Sequence, residues 1–170
     1  MAAPATISVT VSDVIQRPPE EVRAHFADIP YRVHANVHPE LSMVVLTISH
    51  RRCRFRQQTR LLGMKHVDDV VNTMLDNGDM LSEVVGGSNR GLEIHYSYAP
   101  APDATDGTLV TVRVEIPNGS LRHYFRHAIE FRVRRAVMKA LAQDRRDLES
   151  GRYRRYRERA KRPRQTFPVA

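Results

Sequence analysis

The stretch from Ser120 to Ser150 contains neither proline nor glycine, and Ile129, Val133, Ala136, Val137, Ala140 and Leu141 recur along it at helical spacing. One long helix therefore closes the chain, and the stripe on its second half must be buried against something broad. It is entered through the turn Asn118-Gly119-Ser120, with Ser120 as the capping candidate. Just before that turn, Val110, Val112, Val114 and Ile116 alternate with Leu109, Thr111, Arg113 and Glu115. This period of two marks a strand with one buried face, which Pro117 ends.

The rest of the chain divides in the same way. Ile7, Val9 and Val11 alternate with small hydroxyl residues, a first strand. Arg17-Pro18-Pro19-Glu20-Glu21 then opens a short helix, with proline at its start, acids in its positive first turn, and Val22 and Phe26 on one face. A second short helix or ordered loop over Tyr31 to His38 stops before Pro39. From Leu41 to Ile116 the chain reads as extended runs. Val44, Leu46 and Ile48 alternate in the first of these. In the next, Cys53, Phe55, Gln57, Thr59 and Leu61 share one face, with Arg54, Arg56 and Arg60 opposite. Turns at Asp76-Asn77-Gly78 and from Gly86 to Gly91 separate the later runs. The expectation is an α+β domain: a seven-stranded antiparallel sheet, two short helices after strand one, and a long C-terminal helix gripped by the sheet.

At 170 residues, 41% hydrophobic and 27% charged, the chain suits one core and wholesale disorder is excluded. The formal charge of +8 points to nucleic acid only until it is divided by position. Residues 145–164 carry a net +7, leaving +1 for the body. The expected organisation is a ligand-binding domain over residues 1–150 and a basic tail over 151–170 that docks a protein partner or extends a helix. Nucleic acid is not the expected partner. Cutting the chain after Gly151 is expected to leave the melting temperature nearly unchanged, with Tyr153 and Tyr156 the side chains able to upset that. The single Cys53 excludes an internal disulfide or a multi-cysteine zinc site, and a reducing, cytoplasmic setting is expected. No segment has the run of apolar residues needed to span a bilayer, so no membrane insertion is expected.

The phrase ISVTVSDVIQRPPEEVRAHFAD is similar to the opening of the SRPBCC superfamily, which includes START proteins, birch-pollen allergens and polyketide cyclases. In that opening a strand ends in a proline-containing turn before Glu-x-Val and a helix running to Asp. GLEIHYSYAPAPDATDGTLVTVRVEIPNG is similar to its closing hairpin. The resemblance covers about residues 6–150, although the tryptophans frequent in the family are absent. It implies a helix-grip fold with a cavity between sheet and long helix that takes one hydrophobic or aromatic small molecule. By alternation, Phe55, Gln57, Thr59, Ile94, Tyr96, Tyr98, Val112 and Ile129 are the expected ligand-binding residues, and Arg113 points to solvent.

What the resemblance implies about chemistry is an aromatase, cyclase or dehydratase acting on a polyketide in biosynthesis. Tyr31 and His34 would move protons, and an arginine of the third strand, Arg56, would stabilise an enolate. If Phe55 faces inward, however, alternation turns Arg54 and Arg56 outward. A non-catalytic carrier or sensor of a lipid, isoprenoid or quinone is the alternative, and a homodimer is compatible with either. The pairs His34/His38 and His123/His127 have the i, i+4 spacing that can share a metal. Asp28, His34, His38 and Asp144 echo the facial triad of non-haem iron oxygenases, a remote alternative, but the spacing differs and no iron–sulfur domain fits. No metal and no cofactor are expected.

Overall fold

The computed structural model describes residues 6–61, 64–103, 106–117 and 125–161. The capping candidate Ser120, His123 and the end of the basic tail lie outside them. The elements are β1 (Ile7–Ile15), α1 (Pro19–Ala27), α2 (Ile29–His34), β2 (Ser42–Ile48), β3 (Arg52–Leu61), β4 (Met64–Met74), β5 (Met80–Gly87), β6 (Glu93–Pro100), β7 (Thr108–Ile116), α3 (Arg126–Glu149) and α4 (Arg152–Lys161). The seven strands form one antiparallel sheet in the order β1-β7-β6-β5-β4-β3-β2. Neighbours in sequence are neighbours in space except for β1 and β2, which the two short helices carry to opposite edges. The α+β architecture and its element order are those expected from the sequence.

Local chemistry sets the boundaries. Pro18 is extended and Pro19 starts α1, whose first turn holds Glu20 and Glu21. Asp28 ends α1 and caps α2 by accepting the Tyr31 amide at 3.0 Å. Asn36 then takes a left-handed backbone, φ 51°, and turns the chain away from the helix axis. Gly87, φ +100°, sits where the chain leaves β5, and a Cβ there would lie 2.1 Å from the Val67 carbonyl oxygen. Beside it the buried Asp68 is satisfied by the amide and side chain of Asn89, at 2.9 and 2.8 Å.

The core lies between the concave sheet face and the helices. Ile7, Val9 and Val11 of β1 face Val110, Val112, Val114 and Ile116 of β7, with Val22, Phe26, Leu141 and Leu148 packed on them. Along α3, Leu141 and Leu148 are buried, while Ile129, Val133 and Val137 are half-buried and Ala136 is exposed. The stretch from Ala136 to Asp144 roofs the cavity described below, while Ile129 and Val133 before it pack against the core. No helix among the described residues is long and apolar enough to cross a membrane.

One expectation is corrected. After the left-handed Gly151, φ 71°, a separate helix α4 begins, and its Tyr153 is 1% exposed. Its ring lies 4.8 Å from that of Tyr31 and 5.0 Å from that of His25. The residues after Gly151 therefore carry apolar burial, which their charge density conceals.

Candidate functional site

A cavity of about 510 Å³ lies between the sheet and α3. Its sheet wall is built from alternate residues: Phe55, Gln57 and Thr59 of β3, Val70 and Asn72 of β4, Ser82 and Val84 of β5, Ile94 and Tyr96 of β6, and Val112 of β7. Phe26 and Ile29 close one end, and Val137, Ala140 and Leu141 form the roof. Of the sequence-derived ligand residues, Phe55, Gln57, Thr59, Ile94, Tyr96 and Val112 line this space. Tyr98 does not: it is buried against Phe26, with ring centroids 5.7 Å apart, and Arg23 lies over its ring. Ile129 packs on the core from α3 but lies beyond the lining. Burial raises the pKa of Tyr96, so its hydroxyl is a neutral donor and acceptor at the wall.

The polar end of the cavity consists of Arg32, His38 and Asp144. Asp144 lies on the apolar stripe of α3, at the step between Leu141 and Leu148, so helical geometry aims its carboxylate at the core. Arg32 Nη2 is 3.2 Å from both of its oxygens, and His38 Nε2 is 3.2 Å from Oδ1. Burial works to raise the Asp144 pKa. The Arg32 guanidinium, with His38 and His25, outweighs burial and holds the carboxyl below the usual range. Gln143 Nε2 donates to Glu40 at 3.0 Å, which turns Oε1 toward His38 Nδ1 at 2.8 Å. Nδ1 must then carry a proton, since an amide oxygen only accepts. In the neutral ring the Nε2 lone pair faces the Arg32 guanidinium, and in the imidazolium an Nε2 proton faces Asp144. A base, a fixed positive charge and a carboxylate able to stabilise the imidazolium thus meet at one wall.

A second layer supports the first. His25, fully buried, places Nδ1 3.9 Å from Asp144 and Nε2 3.1 Å from Asp147. Tyr31 donates to Asp147 at 2.7 Å, and Arg152 lies 3.5 Å from its other oxygen. Burial opposes the ionisation of Asp147, but the bonds from His25 and Tyr31 prevail and lower its pKa.

All three sequence-derived catalytic residues lie away from the cavity. Tyr31 is turned to Asp147, and burial followed by that hydrogen bond raises its pKa far out of the working range, so it positions the carboxylate. His34 is exposed at the end of α2. Because α2 ends there and Asn36 redirects the chain, His34 and His38 share no helix face. Arg56 is on the convex face, bound to Asp69 at 2.7 Å, as alternation with Phe55 requires. The iron-site echo separates for the same reason, with His38 and Asp144 in the cavity and His34 outside. A different group of donors, Glu93, His95 and Glu115, meets on the convex face; there His95 is 3.3 Å from Glu93 and Glu115 is 3.4 Å from Arg113.

The architecture has counterparts among solved structures. A protein of Thermus thermophilus is 18% identical with a TM-score of 0.72, covering 85% of this chain and 98% of that one. The aromatase/cyclase Zhui from a Streptomyces species is 12% identical with a TM-score of 0.71, covering 86% and 96%. A START superfamily protein from Mycobacterium smegmatis is 14% identical with a TM-score of 0.61, covering 88% and 98%. The chain has the helix-grip fold that these structures share. No family model and no curated protein matches its sequence. A helix-grip frame is thus shared while the polar end of the cavity is written in residues of this chain, which fold likeness alone does not assign.

Proposed function

We propose that the cavity encloses a hydrophobic or aromatic small molecule bearing an enolisable carbonyl, and that the protein acts on it as a cyclase or dehydratase of the polyketide-cyclase kind. The observation that carries this is the Arg32–His38–Asp144 cluster at the end of an otherwise mostly apolar cavity. As the Arg32 guanidinium turns from His38 to the carbonyl oxygen, the released His38 Nε2 lone pair takes a proton from the neighbouring carbon; Arg32 stabilises the enolate oxygen, and Asp144 the imidazolium, until the proton is returned. Gln57, Thr59 and Tyr96 orient the hydroxyls of the ligand. Proteins named as aromatase/cyclases share the fold, which supports this choice of chemistry.

The test is deuterium exchange at the activated carbon of an aromatic 1,3-diketone, followed by NMR, beside its binding measured by fluorescence. The wild-type protein is expected to bind the diketone and accelerate exchange. His38→Gln should retain binding within a few-fold and lose the acceleration. Binding without acceleration in the wild type would leave the carrier reading, which the apolar majority of the lining supports equally well.

A further inference from the structure

The two edges of the sheet are finished differently. At the β1 edge, Arg134 of α3 donates to the Thr10 carbonyl at 3.2 Å, Arg145 grips Asp13 at 2.8 and 2.9 Å, and Glu149 accepts the Gln16 amide at 2.9 Å. Among the described residues, the β2 edge pairs only with β3. Along β2, Val44 is 59% exposed, Leu46 42% and Ile48 62%. Its residues Ser42–Ile48 include no charge and no proline, the usual means of keeping an open edge from pairing. A bulge at Leu46 shifts the register between Val45 and Thr47, so that Val44 and Thr47 lie on the convex face opposite Arg56 and Arg54, and Val45 and Ile48 on the concave face opposite Phe55 and Cys53.

We propose that β2 is the contact strand of a homodimer, pairing antiparallel with β2 of a second copy so that the two sheets become continuous. Charge identifies the occupant. The strand is preceded by Glu40 and followed by His50, Arg51 and Arg52. An antiparallel two-fold pairing sets the start of each β2 beside the end of the other, so Glu40 of one copy faces the basic end of its partner. Glu40 is held in its own chain by Lys139 at 3.3 Å and Gln143 at 3.0 Å, and Arg51 by Asp76 at 2.5 Å, yet both stay solvent-accessible. Between these ends the strands meet without like charge, which a chain of net +8 does not offer widely. Another exposed apolar pair, Phe131 and Met138 on α3, is flanked by the exposed Arg132 and Arg135, so a second copy there meets its own charge. Pairing at β2 satisfies its free backbone groups and sets Leu46, near the middle of the strand, close to its counterpart in the second copy.

Sedimentation equilibrium of the full chain over a wide concentration range tests this. The wild type is expected to be a dimer whose melting temperature rises with concentration, and Leu46→Lys and Leu46→Glu to be folded monomers whose melting temperature does not, since Leu46 is exposed within one chain. An equimolar mixture of the two variants should re-form a dimer, while Phe131→Lys should remain dimeric. A wild-type monomer at every concentration, Leu46 charge variants that stay dimeric, or dissociation caused by Phe131→Lys instead would overturn the proposal.

Discussion

Asp144 occupies a helix position that periodicity reserves for an apolar side chain, and its cost is offset only by Arg32, His38 and the nearby His25. Removing one member therefore exposes the desolvation of the others. Arg32→Met is expected to destabilise the fold by about 3–5 kcal/mol in urea titrations, because it leaves a buried carboxylate without its main counter-charge. Arg32→Met combined with Asp144→Leu should recover most of that loss, since no buried charge remains. Tyr96 and Arg113 make a complementary pair on adjacent strands, one lining the cavity and the other exposed beside Glu115. Tyr96→Ala should weaken binding of an apolar dye roughly fivefold, by loss of about 1 kcal/mol of aromatic contact, and Arg113→Ala should leave it unchanged in the same fluorescence titration.

Elements that look alike in composition differ in what they bury. Half of α4 is arginine, yet Tyr153 seats against Tyr31 and His25, Tyr156 packs at a tilt on Tyr31, Arg154 pairs with Glu21 at 2.7 Å, and Arg152 faces Asp147. Truncation after Gly151 is therefore expected to lower stability by about 3 kcal/mol or more, as for loss of a buried aromatic. Tyr153→Ala should reproduce most of the fall, and Arg159→Ala almost none of it, when melting is followed by circular dichroism. This replaces the expectation drawn from charge alone. A helix dominated by surface charge contributes through the few side chains that face inward, because exposed ion pairs contribute little. The same logic makes Gly87→Ala costly, since its Cβ would collide with the Val67 carbonyl in a positive-φ conformation.

At the scale of the molecule, the buried polar layer ties α1, α2 and α3 together through His25, Tyr31, Asp144 and Asp147, and Arg152 joins α4 to it at Asp147. Both aspartates have folded pKa values below their unfolded ones, so the unfolded chain binds more protons in acid. Their contribution is complete above the unfolded value of about 4 and is lost as pH falls through the depressed folded values. Calorimetry is expected to show a melting temperature insensitive to these groups above about pH 5 and falling steeply below about pH 4, with a shallower fall in Asp147→Asn. The order of residues was enough for the element order, the sheet, the long helix and the inward faces of β3, β6 and β7, because alternation and helical spacing are local rules that burial enforces on every turn. Even the outward turn of Arg56 was contained in its alternation with Phe55. The polar end of the cavity was not legible in the same way. His38 looked like the helical partner of His34, and only the left-handed Asn36 parts them. Asp144 and Asp147 were visible as charges on an apolar stripe, but their partners come from α1 and α2, more than a hundred residues earlier. Likewise nothing in the arginine-rich end announced that Tyr153 would fill a gap between His25 and Tyr31. Such pairings depend on where distant elements meet, and the closure of the sheet around α3, not any local propensity, decides that.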